Sequence, residues 1–573
     1  MDKSPQVTLN TTAHYFLEGL NEIGMEYLFC NLGTDHAPII EEMARWTKAG
    51  WKFPATILCP HENTAMHMAA GYAAVTGRGQ GVLVHVDAGT ANCAMGAHNI
   101  RRSRLPLLLM AGKAPFSVRG ELPGSRDNYV HFIQEPFDQA AIVRPYVKWE
   151  WTLPSGAVTK EVLRRAHTIA HSGSPGPIYL MLPRETLAQQ WDSNTVRSFP
   201  AERYGAVDAG AASAEAITTL VDKLLAAQNP AMVTTYVGRN KAAPAVVEEL
   251  ARFCGMRVME SHTTALNISR DSDFYFGGNP GEYVGATDMG LMVDVDVPWI
   301  PKLTRENPNT WWGHIDVDVV KEDFPMWGFA TNLRVQGDAT TILRQLLDAL
   351  KARAPQSYKD AAVIRGTALA IENAERRAKI RAQAAEPGKT GAINANYFCA
   401  ALAKQLSPTD IVVNEAVRSV GIILNQVPRT IPGTYIGFAG GGLGCSAGLA
   451  LGAKLASPQS TVVQFVGDGG FYFNNPSSTF AVSKQYNVPI LMVVIDNGGW
   501  SAVKEATLRM HPDGDAAGTQ QFQARLTPDV NFADVVRSVG GHGETIVDPS
   551  EVEASSARAM AAVRGGRPGL IHV

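Results

Sequence analysis

The sequence predicts an α/β protein made of three doubly wound parallel-sheet domains, and three observations carry that prediction. Short apolar, β-branched runs recur along the chain and alternate with helical patterns, as in a parallel sheet with covered faces. Two of these runs, residues 461–466 and 489–495, end in Gly467-Asp468-Gly469 and Asp496-Asn497-Gly498-Gly499, the polar, turn-forming ends expected where buried strands reach a sheet edge. A length of 573 residues with 45% hydrophobic content supplies several separate cores.

Taken in order, residues 11–24 read as the first helix, with Phe16, Leu17, Leu20 and Ile23 on one face and Gly24 as its stop. Apolar runs near Tyr27, Ala55, Gly81, Leu105 and Pro177 are strand candidates separated by helical patterns. One of these patterns, CPHENTAMHMAAGYAAVTGR, places Glu62 at a helix start. The polar, proline-containing stretch 190–210 is the first linker. A middle domain follows, with strands predicted at 231–238, 291–297 and 312–319 and with Asp316 and Asp318 at a strand end. Residues 354–389, rich in Ala, Arg and Glu, read as a charged connecting helix. In the last domain a helix over 476–486 joins the two strands already named. Parallel strands need such a crossover, which brings Asp468 and Asn497 to the same edge. The domain boundaries are therefore expected at 1–190, 208–350 and 391–573, with 351–390 as a linker.

Composition excludes some classes. The formal net charge is −3 and Lys and Arg are scattered, so neither nucleic acid nor a membrane surface is an expected partner. Cys30, Cys59, Cys93, Cys254, Cys399 and Cys445 contain no C-x-x-C spacing, which points to buried thiols in a reducing compartment. No apolar run approaches the roughly 18 residues of a membrane span, and the opening MDKSPQVTLN lacks an apolar leader core. A cytoplasmic protein is expected.

Asp468 and Asn497 are hard oxygen donors suited to Mg2+, which is commonly held by one or two protein groups plus phosphates. Adjacent glycines let phosphate approach the backbone. The plainer reading, a turn capped by Asp and Asn, is less favoured because the two strand ends coincide. The segment resembles the cofactor signature of the thiamine diphosphate enzymes. That resemblance implies a metal held by Asp468, Asn497 and the Gly499 carbonyl, with Gly467, Gly469 and Gly470 at the diphosphate. The family's first Asn of the pair is Asp496 here. A second carboxylate beside a diphosphate is unfavourable unless it points away, so Asp496 is not counted as a ligand.

The resemblance extends to the rest of the chain. Glu62 takes the position of the activating glutamate, whose carboxyl hydrogen-bonds a ring nitrogen of the aminopyrimidine. That role asks for a carboxyl in a largely apolar niche. The plainer alternative is a first-turn glutamate complementing the helix dipole. NEAVRS at 414–419 and YIGFAGGGLGCSAG at 435–448 look like the benzoylformate decarboxylase branch. By that likeness the Gly441 carbonyl meets the aminopyrimidine, Leu443 supports its bent conformation, and amides after Gly444 serve the diphosphate. The branch's hydroxyl residues after N-E are Val417 and Arg418 here, which leaves Arg418 at the cofactor. The resemblance implies pyrimidine-binding, central and diphosphate-binding domains. It also implies a homodimer or homotetramer with the site at a subunit interface. The central domain shows no glycine-rich phosphate loop, so FAD is not expected.

Substrate chemistry falls to residues around the cofactor. LVHVDAGTANCAMGAH aligns with the branch's H-x-x-x-G-T-x-N and places His85 where that branch has a catalytic histidine; a strand-end histidine satisfied by backbone is the alternative. Thr34 stands at a pocket serine's position, with Asp35 and His36 as further polar candidates. The branch's second histidine has no counterpart, since that region reads DVDVPWIPK and offers Pro298 and Trp299 as apolar bulk. Trp500 faces the substrate entrance, and 511–525 is a lid or an ordinary surface loop. Arg126, His131 and Gln134 lie near the family's interface segment. The implied reaction is decarboxylation of a 2-oxo acid or acyloin synthesis. A lyase cleaving a 2-hydroxy ketone or 2-hydroxyacyl thioester without loss of CO2 is the alternative. GLGCSA at 442–447 also fits a dinucleotide fingerprint, so a nicotinamide-dependent oxidoreductase is the rival, although it leaves Glu62 and Asn497 without a role. A non-catalytic binder has no use for Glu62, Asp468 and Asn497 together.

Overall fold

A computed structural model of the chain describes residues 9–528 and 530–573; most of the segment read above for a leader falls outside them. Two compact units are present. One gathers the chain up to residue 207 with residues 440–459 and 472–489, and the other holds 208–439, 460–471 and 490–573.

The first unit is built on a six-stranded parallel sheet. Its strands run in the order Ala55–Leu58, Tyr27–Asn31, Gln80–Val84, Leu107–Lys113, Pro177–Pro183, Glu150–Thr152. The five predicted runs all form strands. The three-residue edge strand Glu150–Thr152, too short for a periodicity signal, was not foreseen. The first helix spans Thr12–Glu22, with the Thr11 side chain accepting from the His14 amide; Gly24 follows at φ 72. Its Phe16, Leu17 and Leu20 enter the core under the sheet. Part of the predicted linker is ordered differently: Gln190–Asp192 pairs antiparallel with Leu9–Thr11.

Glu62 opens the helix Glu62–Thr76, whose cap His61 accepts from the Asn63 amide through Nδ1 and whose stop is Gly77 at φ 74. This helix is buried along most of its length because the helix Ser446–Ala456 lies directly on it. Glycines make the approach possible. A Cβ on Gly71 would meet the Leu449 carbonyl oxygen at 2.1 Å, one on Gly448 the His67 Cβ at 2.5 Å, and one on Gly452 the Met68 carbonyl oxygen at 1.9 Å. The Asn63 amide group donates to the Gly444 carbonyl at 2.8 Å, and the Thr64 and Ser478 hydroxyls are 3.0 Å apart.

The second unit carries two parallel sheets. The five-stranded one runs Arg257–Glu260, Pro230–Thr234, Met289–Val293, Trp311–Asp316, Leu333–Gln336. Asp316 ends its strand as expected and meets Lys321 at 2.8 Å. Trp299 is buried against Trp312 and Phe329 in this sheet's core. The charged helix is Gln356–Ala382. The six-stranded sheet runs Tyr435–Ile436, Ile411–Glu415, Val462–Gly467, Leu491–Ile495, Gly569–His572, His542–Thr545. Gly467 pairs with Ile495, so the predicted adjacency of the two strand ends holds. Helix resumes at once after the first of these strands, over Asp468–Phe473, and again over Pro476–Gln485.

Candidate active site

In the first unit the fold draws together Glu62, His85, Thr34, Asp35 and His36. Glu62 is 8% exposed, and its Oε2 accepts from the Asn92 side-chain amide at 3.0 Å. His85 follows directly on the strand Gln80–Val84 and converges on the same place: a Cβ on Gly89 would lie 3.4 Å from the His85 Cβ and 3.5 Å from Glu62 Oε1. The strand-end reading, with backbone satisfying the ring, does not hold. His85 Nδ1 meets Asp35 Oδ1 at 2.5 Å and Nε2 meets Gln134 Oε1 at 2.9 Å. The Asp35 hydrogen bond raises the His85 pKa above its ordinary value against the opposing effect of burial.

Thr34, Asp35 and His36 form a 3-10 turn, Thr34–His36. Thr34 Oγ1 lies 3.1 Å from His131 Nε2. His131, expected near the family's interface segment, therefore meets the same turn as Thr34. His36 is fully buried, accepts from the Gly33 amide through Nδ1 at 3.0 Å, and has its pKa lowered by burial. Its ring is packed in the interior beside Asp35. Asp35 is likewise closed off from solvent. The segment bringing in His131 and Gln134 is fixed by Arg126, which donates to the carbonyls of Pro115 and His131, each at 2.8 Å.

The glycine loop 440–444 packs on the helix Ala88–Arg102 of the same unit. Asn99 donates to the Gly442 carbonyl at 2.8 Å and accepts from the Gly442 amide at 3.1 Å, and the Gly441 amide reaches His98 Nε2 at 3.4 Å. Leu443 is half-buried beside them. The Ala447 amide, expected among those facing a diphosphate, instead donates to Asn474 Oδ1 at 2.7 Å. Sequence reasoning did not foresee the contacts made by Asn92, Asn99 and Asn474. Only Asn92 carried a signal, as the final residue of the quoted G-T-x-N.

In the second unit Asp468 and Asn497 stand at neighbouring strand ends. Burial, reinforced by the Asp496 charge, raises the Asp468 pKa to about 6. Asp496 does not turn fully away. One oxygen accepts from the Gly498 amide at 2.8 Å, the other meets His572 at 3.0 Å, and the hydrogen bond from His572 lowers its pKa. Asn497 Oδ1 accepts from the Ser501 hydroxyl at 2.7 Å, and the Gly499 carbonyl accepts from the Ser501 amide at 3.0 Å. A Cβ on Gly467 would meet only the Ile495 carbonyl oxygen, at 3.9 Å, whereas one on Gly469 would strike the Trp500 ring at 2.4 Å and one on Gly470 the Val466 side chain at 2.9 Å. Gly499 adopts φ 141 and is backed by the Ala524 carbonyl, so the far end of 511–525 is pinned at Gly499 and Trp500 instead of swinging free. Arg418 pairs with Glu505. Together Asp468, Asn497 and Gly499 present a carboxylate, an amide oxygen and a carbonyl on a glycine-lined turn. That donor set fits a hard divalent cation with phosphate beside it.

Comparison with known proteins identifies the family. Residues 10–142 match the thiamine pyrophosphate enzyme N-terminal TPP binding domain, and residues 419–573 match the C-terminal TPP binding domain. The chain belongs to the thiamine pyrophosphate-dependent enzymes. Within them it is related to acetolactate synthases and benzoylformate decarboxylases. It is 25% identical over 533 residues to the acetolactate synthase isozyme 3 large subunit of Escherichia coli, covering 90% of this chain and 87% of that one. It is 24% identical over 594 residues to benzoylformate decarboxylase of Pseudomonas aeruginosa, covering 97% of each. The thiamine diphosphate-dependent 4-hydroxybenzoylformate decarboxylase of Rhodococcus jostii shares the fold with a TM-score of 0.77 at 19% identity, over 98% of this chain and 99% of that one.

Proposed function

We propose that this enzyme requires Mg2+ with thiamine diphosphate and breaks or forms the carbon–carbon bond beside the carbonyl of a 2-oxo acid, as a decarboxylase or an acyloin-forming synthase. The convergence of Glu62 and His85 beside Gly89 carries the reading, because it puts a buried carboxyl and a proton-handling imidazole in one place. When bound, thiamine diphosphate supplies a nucleophilic carbon and an electron sink. Glu62, held by Asn92, would hydrogen-bond the aminopyrimidine, and Gly441 and Leu443 would support that ring. Asp468, Asn497 and the Gly499 carbonyl would hold Mg2+, with Gly467, Gly469 and Gly470 beside the diphosphate. His85 moves protons to and from substrate oxygen, Thr34 lines the pocket, and Trp500 borders the entrance. Arg418 reaches phosphate only by leaving Glu505.

The active enzyme is a homodimer or homotetramer with its site shared between chains, located in the cytoplasm. Self-association is supported by the apolar side chains that the segment carrying His131 and Gln134 exposes, among them Tyr129, Phe132, Ile133 and Phe137. The deciding experiment is NMR product analysis with thiamine diphosphate and Mg2+ over aliphatic and aromatic 2-oxo acids, with Glu62→Gln as control. Glu62-dependent CO2 release is expected, with aldehyde or acyloin distinguishing the two reactions. Cleavage of hydroxy ketones or thioesters without CO2 would move the assignment to a lyase.

A further inference from the structure

Asp35 stands apart from the other polar residues at the site because nothing it does faces a pocket. It is fully buried. Its Oδ2 accepts from the Val86 amide at 3.1 Å, and its Oδ1 meets His85 Nδ1 at 2.5 Å. Two glycines are cut away to admit the pair. A Cβ on Gly112 would lie 1.4 Å from Asp35 Oδ2, and one on Gly33 would lie 1.8 Å from His85 Nδ1. Two segments distant in sequence thus leave space for one carboxylate–imidazole contact. On the other side of the ring, Nε2 meets Gln134 Oε1 at 2.9 Å, so both His85 nitrogens face oxygen acceptors. With the Gln134 side chain in this orientation both ring nitrogens are placed to donate, as they do in an imidazolium.

We propose that Asp35 is a positioning residue that fixes His85 with a proton on Nδ1 and holds it as a cation, and that Gln134 Oε1 occupies the place at Nε2–H which the anionic end of a carbonyl substrate takes. Both would-be partners at Nε2 are oxygen acceptors, so exchange of Gln134 for a carboxylate oxygen preserves the donor and replaces a neutral bond with a charge-assisted one. The surrounding charges agree with a cation. Glu62 acts on His85 in the same direction as Asp35. His36 and His131, the other titratable rings beside it, both have pKa values lowered primarily by burial. A positively charged His85 presented to substrate favours 2-oxo acids over neutral ketones at this site.

This inference rests on the reading of His85 as the proton-handling group, yet its test needs neither cofactor nor turnover. The full-length protein, labelled with 13C at histidine Cε1, is titrated by NMR, the His85 signal being assigned by its loss in His85→Gln. In the wild type His85 should titrate above the ordinary histidine value. Asp35→Asn keeps the shape and removes the charge, and it should lower that midpoint by about one pH unit or more. An unchanged midpoint in a folded Asp35→Asn overturns the proposal. If that variant does not fold, a wild-type His85 already neutral at pH 6.5 overturns it instead. With phenylglyoxylate as probe, the His85 signal should shift for the free acid and not for its methyl ester; equal responses would sink the carboxylate assignment. Failure of thiamine diphosphate to support catalysis, with the His85 titration as expected, would count against the proposed reaction and not against this pairing.

Discussion

Glu62 and the Asp35–His85 pair pose different demands at the residue scale. Glu62 accepts from the Asn92 side-chain amide, and glutamine has the same shape, so Glu62→Gln leaves the packing intact. It should melt within a degree or two of the wild type while losing about 10²-fold or more in turnover, the usual scale of an acid–base group. Equal loss of stability and activity would make Glu62 structural. Gly112→Ala tests space instead of charge. Its added methyl cannot coexist with the Asp35 carboxylate, so either the strand or the carboxylate shifts. A loss of about 1–3 kcal/mol in denaturant unfolding is expected, with the His85 titration moved as in Asp35→Asn; a variant of wild-type stability and titration would show that the strand accommodates the methyl. Glu62, His85, Asp468 and Asn497 could be singled out because the strings around them resemble the motifs of a known family, and the fold puts Glu62 beside His85 and Asp468 and Asn497 at neighbouring strand ends. The role of Gln134 was not legible, because a glutamine more than 40 residues from its histidine carries no pattern that sequence alone can read.

At the scale of elements, strands and their crossovers were readable from apolar runs bounded by glycine and aspartate, and the Gly467–Ile495 register followed from the crossover rule. The packing of Glu62–Thr76 on Ser446–Ala456 was not readable, since neither helix carries a single apolar stripe that marks a contact face and the two lie nearly 400 residues apart. Glycines 71, 448 and 452 then acquire a purpose that local sequence does not show. Gly452→Ala should destabilise by about 1–3 kcal/mol or more because the nearest obstacle, the Met68 carbonyl, is backbone and cannot rotate aside. Thermal unfolding checks this, and an unshifted melting temperature would mean the helices can separate without loss. His67 lies in the same crossing, fully buried, its pKa pushed down by burial to about 4 while its Nδ1 meets the Asn63 carbonyl at 3.0 Å. The folded value lies below the ordinary 6.5 of the unfolded chain. Its contribution is therefore full above pH 6.5 and lost as pH falls toward 4. Denaturant unfolding at pH 7 and pH 5 should show the decline, and His67→Gln should flatten it.

At the scale of the whole molecule, the question is whether one chain or two complete a site. Residues 440–459 join the first unit of their own chain, and the Asn99–Gly442 hydrogen bonds tie the Gly441–Leu443 loop to it. The exposed apolar segment around Tyr129 and Phe132 argues for a partner on the face that carries Gln134. Mixing two inactive variants separates the arrangements. Glu62→Gln disables the pyrimidine side and Asp468→Ala the metal side. If a site takes Glu62 from one chain and Asp468 from another, a mixed dimer has one site with both defects and one with neither. Random subunit exchange should then restore about a quarter of wild-type activity, since half the dimers are mixed and each has one working site of two. If a single chain supplies both residues, every site in the mixture carries a defect and no activity returns. We expect restoration, appearing at the rate of subunit exchange followed by native mass spectrometry. A mixture that exchanges subunits and stays inactive would assign the complete site to one chain.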